Sequence, residues 1–196
     1  MVQSHTNFDL VFYDRTKSMV SDDIHIEEIT AQDSPAVVDM IRRNLAEYEE
    51  VGSVLAATWR RLDNINNYSS GEGNKLFVAK NVSKSVIVGC VGIGSLHGLP
   101  ATEGIGEIRD LVVDTNYRGQ GTGKRLLRRA IESAKKFGYQ RLYLETTPQM
   151  ENAKKLFIRF GFRAVVEAKD ESKKSQAPKT LPSYFLLEDL GQNSDN

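Results

Sequence analysis

Hydrophobic and polar positions fall into short blocks whose period switches between two and about 3.6 residues. Ile24 to Thr30 alternates Ile, His, Ile and Glu and predicts the first strand of a domain. Asp33-Ser34-Pro35 predicts a helix start, with Ser34 as N-cap and Pro35 at the first helical position; the helix should run to about Glu50. A second helix is expected over Val54 to Leu62, and the Asn-, Ser- and Gly-rich stretch Asp63 to Asn74 reads as a loop. Lys75 to Lys80 and Val86 to Leu96 read as strands joined by Asn81-Val82-Ser83-Lys84, an antiparallel hairpin. Gly98 to Gly104 connects them to an apolar run, Ile108 to Val113. A helical pattern then opens at Leu126, and Leu127, Ala130, Ile131, Ala134 and Phe137 keep its spacing. Arg125, Arg128, Arg129, Glu132, Lys135 and Lys136 fill the other side, and Gly138 fits a C′ terminator. Arg141 to Thr147 predicts a strand, about Glu151 to Phe160 a short helix, and Phe162 to Ala168 another strand. Lys169 to Pro182 is a charged loop, and Ser183 to Asp189 is the last strand.

Residues 1–23 read as an N-terminal extension in which Phe8 to Tyr13 fits a short strand, 24–190 as one domain, and 191–196 as a tail. Strands first, then a βαβ unit and a terminal strand pair, imply an α/β fold with a mixed sheet flanked by helices.

Composition narrows the function classes. A chain of 196 residues can build an ordinary single core. Formal net charge is zero and 40% of residues are apolar, which argues against a general nucleic-acid surface. No run approaches the ~20 apolar residues needed to span a membrane. Met1 to His5 lacks the features of a signal peptide, so a cytoplasmic location is expected. The lone Cys90 excludes an internal disulfide and sits in an apolar run, as a small core residue would. His5, His25 and His97 show no metal-ligand spacing, and no metal is expected.

Chemistry concentrates in Tyr117-Arg118-Gly119-Gln120-Gly121-Thr122-Gly123-Lys124, between a strand and a helix start. Glycines permit a tight turn and close backbone approach. The first helical amides lack intrahelical partners and, with the helix dipole, suit an anion such as phosphate. A P-loop is excluded by register: Arg125 follows Lys124, and no glycine stands five positions before Gly123. A dinucleotide fingerprint is half met by Gly119 and Gly121, but Lys124 holds the third glycine's place. Arg/Gln-x-x-Gly-x-Gly/Ala is met by Arg118, Gly121 and Gly123 without a gap.

With that loop the chain resembles the GNAT superfamily of acetyl-CoA-dependent N-acetyltransferases. Glu107 to Asp114 looks like the strand before the family's pyrophosphate loop, and Ala153, Leu156, Phe157, Phe160, Gly161 and Phe162 resemble its Ala-x-x-Leu-Tyr-x-x-x-Gly-Phe signature. The resemblance covers most of residues 75–190 and is most specific from Glu107 to Phe162. It implies about seven strands flanked by about four helices. It further implies that Arg118, Gly119, Gln120, Gly121, Thr122, Gly123 and Lys124 hold the pyrophosphate of coenzyme A. Leu111, Val112 and Val113 would splay from the next parallel strand and offer amides to the pantetheine arm and thioester. Such an arrangement needs no metal and no covalent enzyme intermediate.

A neutral amine implies a general base. Glu107 is the candidate, because its separation from Arg118 matches that of the catalytic glutamate in some protein-acetylating members; His97 is a weaker one. The family's tyrosine, often placed near the leaving thiolate, is replaced here by Phe157, which leaves Tyr184, Tyr143 or water to supply the proton. Met150 holds the place of a frequent cofactor-contacting asparagine, with Asn152 nearby as a substitute. The acceptor pocket implied by the resemblance spans Glu47 to Asn74 and Lys169 to Tyr184, including Tyr48, Glu49, Glu50, Trp59 and Tyr68. The expected reaction is acetyl transfer from acetyl-CoA to a small-molecule amine through a ternary complex, and a homodimer is compatible with it. Acetylation of a protein lysine or N-terminus, and a non-catalytic acyl-CoA-binding sensor, remain open.

Overall fold

The computed structural model describes residues 23–46, 48, 52–65, 71, 73–96, 103–165 and 183–190. The expected strand Phe8 to Tyr13, the candidate His97 and the loop Lys169 to Pro182 lie outside the described residues. Among those described, seven strands and four α-helices follow in the order β1 (Ile24–Glu28), α1 (Ser34–Leu45), α2 (Gly52–Leu62), β2 (Lys75–Asn81), β3 (Val86–Ser95), β4 (Ile105–Val113), α3 (Thr122–Lys136), β5 (Arg141–Thr146), α4 (Glu151–Arg159), β6 (Arg163–Val165) and β7 (Ser183–Leu187).

One sheet takes the order β1-β2-β3-β4-β5-β7-β6. Every neighbouring pair is antiparallel except β4 and β5. Successive strand residues point to opposite faces, so a sheet covered on both sides needs apolar residues at both parities. In β2, Leu76 and Val78 join Val37, Met40, Ile41 and Leu45 of α1 and Leu62 of α2. Phe77 and Ala79 point the other way and pack with Leu126, Leu127, Ala130 and Ala134 of α3. Phe157 of α4 belongs to this second core.

Three boundaries differ from the sequence pattern. The first long helix is capped one residue earlier: Asp33 is the N-cap and Ser34 the first helical residue. Asp33 is recruited by the turn before it, where the Thr30 backbone N–H and hydroxyl donate to its carboxylate at 2.8 and 2.7 Å. This helix also stops at Leu45 rather than near Glu50. The third helix starts at Thr122, four residues before its apolar stripe, because Gly121 takes a left-handed conformation (φ 83°) and serves as N-cap. Its far end follows expectation, with Gly138 at φ 80° and Tyr139 N–H donating to Ala134 O at 3.1 Å.

Candidate functional site

Two features of β4 create the site. Opposite β3, Cys90 pairs with Val112 and Gly92 with Arg109, so two β4 residues, Asp110 and Leu111, face one on β3. That is a β-bulge, and it lies where φ of Asp110 is +47°. The extra residue changes which parity faces which layer. Ile108 packs in the α3 core, whereas beyond the bulge Val112 belongs to the α1 core and Leu111 and Val113 turn toward α3. Secondly, β4 and β5 pair from Ile105–Arg141 to Ile108–Leu144, and there the ladder stops. Both strands continue, β4 to Val113 and β5 to Thr146, so the sheet parts beyond Ile108.

A cleft of about 100 Å³ occupies the parting. Leu111, Met150, Ala153 and Phe157 contribute its apolar wall, and Glu107, Arg109, Asp110, Arg61 and Glu145 its charged wall. The Asp110 carboxylate is 2% exposed and takes three donors from α2: Thr58 Oγ1, Arg61 Nε and Arg61 Nη2, each at 2.7 Å. Short polar side chains tolerate the left-handed region better than others, and here a two-pronged guanidinium holds one there. Cys90 is fully buried and its thiol donates to Asp110 O at 3.3 Å. Burial, aided by the Asp110 charge, pushes that thiol's pKa far up, so Cys90 is a core residue and no nucleophile.

At the end of β4, backbone and side chains shape the glycine loop. Asn44 of α1 is 5% exposed; its Oδ1 accepts from the Thr115 N–H at 2.8 Å and the Thr115 hydroxyl at 3.0 Å. Arg118 Nε donates to Val113 O, and Gln120 Nε2 to Asn116 O, each at 3.0 Å. These side chains brace the loop, and the Arg118 N–H donates back to Thr115 O at 3.4 Å. Gly119 takes φ 75°, with no atom within 4 Å of where a Cβ would stand. Together with the open first turn of α3, this gives an accessible anion cradle at one end of the cleft.

The structure brings Glu107, Leu111 and Val112 together in the cleft, next to the Arg118–Lys124 loop. Glu107 does not stand alone: Arg109 Nε donates to its Oε2 at 2.9 Å, and Arg109 also donates to Ser95 O. Tyr184 lies on β7 opposite Glu145, and its ring stacks on Tyr143 at 6.0 Å between centroids. Phe157 is buried against Phe162 and Phe185, at 6.0 and 6.1 Å, and lines the cleft with a ring that carries no hydroxyl. Asn152 is exposed on the first turn of α4; Met150 and Ala153 reach the cleft instead. Trp59 packs against the α1 core, while Glu49, Glu50 and Tyr68 fall outside the described residues.

Sequence reasoning missed Glu145. It follows Leu144, the last β5 residue paired with β4, and therefore opens the parted stretch. Desolvation raises its carboxyl above the usual range; the Glu107 charge adds to the rise, and Arg61 opposes it. A signal was present in Leu142-Tyr143-Leu144-Glu145-Thr146, where alternation puts Tyr143 and Glu145 on the face opposite the core leucines.

A larger groove of about 890 Å³ lies between α1 and the β2–β3 turn, sharing no lining residue with the cleft. Lys80 there pairs with Glu27 at 2.5 Å and Asp33 at 2.9 Å. Among the described residues no group of three or more His, Cys, Asp or Glu is arranged to hold a metal ion. No helix among them is long and apolar enough to cross a membrane.

Comparison with known proteins agrees with this geometry. The model of the acetyltransferase (GNAT) family matches residues 38–162. The N-acetyltransferase YjgM of Escherichia coli K12, itself uncharacterised, is 31% identical over 143 residues, 71% of this chain and 82% of that protein. N-acetylaspartate synthetase of Danio rerio is 36% identical over 80 residues, a match that spans 28% of its length. A GNAT-family acetyltransferase from Staphylococcus aureus Mu50 superposes with a TM-score of 0.66 at 21% identity, over 86% of this chain and 99% of that one. The Salmonella typhimurium protein yncA, solved with its cofactor acetyl-CoA, gives a TM-score of 0.66 at 15% identity, over 88% of this chain and 97% of that one.

Proposed function

The chain belongs to the acetyltransferase (GNAT) family, and on that premise we propose that it moves acetyl from acetyl-CoA to a primary amine of a small molecule. One observation carries the reading: β4 and β5 part beyond Ile108 and Leu144, leaving a backbone edge beside a helix N-terminus with an open glycine loop. Amides of the Arg118–Lys124 loop would hold the pyrophosphate. The edge from Leu111 to Val113 would hold the pantetheine arm and face the carbonyl oxygen as it gains negative charge. The residues present fit this co-substrate: the loop is cationic through Arg118 and Lys124, and Gly119 leaves open space where a phosphate would approach. Asn152, on the first turn of α4, is kept as a further candidate contact to the donor.

The amine would approach from the charged wall. Of the three carboxylates there, Asp110 is held by Arg61 and Thr58, and Glu107 or Glu145 would take a proton from the incoming ammonium. Tyr184 is the proposed proton donor to the departing thiolate, since Phe157 cannot serve. A thiol's ordinary pKa of ~8.5 makes that demand mild.

The test is incubation of the pure protein with acetyl-CoA and a panel of amines: putrescine, phenethylamine, L-lysine, L-methionine and L-aspartate. Free thiol release is followed, and products are identified by mass. Amine-dependent thiol release with a matching acetamide is expected. Tight CoA binding without turnover on these amines or on lysine peptides would favour a non-catalytic acyl-CoA sensor. Absence of CoA binding would overturn the reading entirely.

A further inference from the structure

We infer that Glu145 is the carboxylate that receives the acceptor as a cation and takes its proton, while Glu107, fixed by Arg109, positions and charges that site. The inference rests on the proposed acetyl transfer and names the base and substrate charge within it.

Three observations carry it. The first is position. Glu145 is the first β5 residue beyond the last β4–β5 pair, so it borders the gap where a thioester would lie. The second is partnering. Glu107 already accepts from Arg109 Nε, and the Asp110 carboxylate is filled by Arg61 and Thr58. Among the described residues the Glu145 side chain, unlike its backbone in the β5–β7 ladder, has no hydrogen-bond or ion-pair partner, and it lines the cleft. The third is the surrounding surface. Tyr143, two residues earlier on the same strand face, and Tyr184, its cross-strand partner on β7, stack beside it. An aromatic face next to an open carboxylate suits an alkylammonium.

The charged and titratable groups facing Glu145 are Glu107 and Arg109 from β4, Asp110 at the bulge, Arg61 from α2, Tyr143 from β5 and Tyr184 from β7. Arg109 and Arg61 are each engaged by another carboxylate. Burial raises the Glu145 carboxyl most, the Glu107 charge adds to the rise, and Arg61 opposes it. A carboxyl whose proton is held more tightly is a stronger base at neutral pH.

The protons balance as follows. The ammonium nitrogen gives one proton to a Glu145 oxygen, and its lone pair forms the N–C bond to the acetyl carbonyl carbon. The C–S bond breaks, and the electron pair leaves on sulfur. The thiolate takes a proton from the Tyr184 hydroxyl, and a second proton from the same nitrogen restores that hydroxyl. Glu145 returns its own proton to solvent, leaving an acetamide and a free thiol.

The experiment compares wild type, Glu145→Gln, Glu145→Asp and Glu107→Gln, using the amine above that gives the fastest thiol release. Calorimetry measures CoA affinity of each variant. For Glu145→Gln, kcat should fall about 100-fold or more, the acid limb of the pH profile should disappear, and CoA affinity should be unchanged. Glu145→Asp should restore part of the rate and the limb. Glu107→Gln should move the acid limb to lower pH, because the repelling charge is gone. A Glu145→Gln enzyme with the wild-type profile overturns the inference while leaving acetyl transfer intact.

A second readout needs no acceptor. In protein labelled with ¹³C-carboxyl glutamate, the resonance missing from Glu145→Gln should titrate above the ordinary glutamate range and move down in Glu107→Gln. A resonance at or below that range overturns the assignment. Loss of CoA binding in wild type is the separate failure, that of the proposed function itself.

Discussion

Asp110→Ala tests the bulge on which the site depends. The substitution removes the acceptor of three 2.7 Å hydrogen bonds and leaves Arg61 facing an empty place. Breaking a buried ion pair by deleting one partner costs about 3–5 kcal/mol. Arg61 is 25% exposed and can regain water, so the lower end, about 3 kcal/mol, applies. Alanine at φ +47° adds about 1 kcal/mol of backbone strain. A total near 4 kcal/mol lowers the melting temperature by roughly 8–16 °C in a chain of this size. Urea unfolding of Asp110→Ala, Arg61→Met and the double variant gives the coupling directly, and about 2 kcal/mol is expected. The same loss should reach catalysis, since amides re-aimed by an ångström can cost about 100-fold in rate. A loss below about 1 kcal/mol in Asp110→Ala, or additive single variants, would refute the argument that this clamp sets the bulge.

The remaining predictions concern the loop, the thiol and the acid group. Gly121→Glu should abolish CoA binding in calorimetry while far-UV dichroism stays native, because a side chain and a negative charge enter the left-handed N-cap of α3; a folded variant with unchanged affinity would sink the assigned cradle. Cys90 should resist a thiol reagent in the native protein and react fully in denaturant, its thiol being buried. Because Glu145 holds its proton more tightly folded than unfolded, ionising it opposes folding. That penalty is absent below the unfolded pKa, grows as pH rises toward the folded value, and is then constant. Glu145→Gln should therefore melt above wild type at pH 7 and level with it near pH 3.5; a variant less stable at pH 7 would contradict the raised carboxyl.

What the sequence disclosed follows from what is local. The Arg118–Lys124 loop was legible because glycine spacing and helix start are neighbours along the chain, and Gly121 and Gly138 take the left-handed conformations their places imply. Strand and helix order was legible for the same reason. The bulge was not. Asp110 sits inside an apolar run that reads as an ordinary strand, and the residue holding it left-handed, Arg61, is 49 positions away. Glu107 stood out by its distance from Arg118; its partner Arg109 is two residues on along the same strand face, but that Arg109 is also anchored to Ser95 O appears only when β3 lies beside β4. Glu145 went unnoticed because its meaning depends on where a ladder ends. That the β4–β5 pairing stops at Leu144 is written in no single segment.

The β4–β5 seam also bears on how the protein lives between turnovers. Four registered pairs join β4 to β5, and beyond them the two strands separate. An acyl donor laid into the gap would act as an interposed strand, hydrogen-bonded where the ladder stops. Donor occupancy and cohesion of the sheet would then be one thermodynamic quantity. At a donor concentration 100 times its dissociation constant, mass action adds about 2.7 kcal/mol to folding stability. Amide hydrogens near Leu111 to Val113 would exchange quickly in the empty protein and slowly in the loaded one. The lifetime of the chain against proteolysis would then rise and fall with the supply of its own donor.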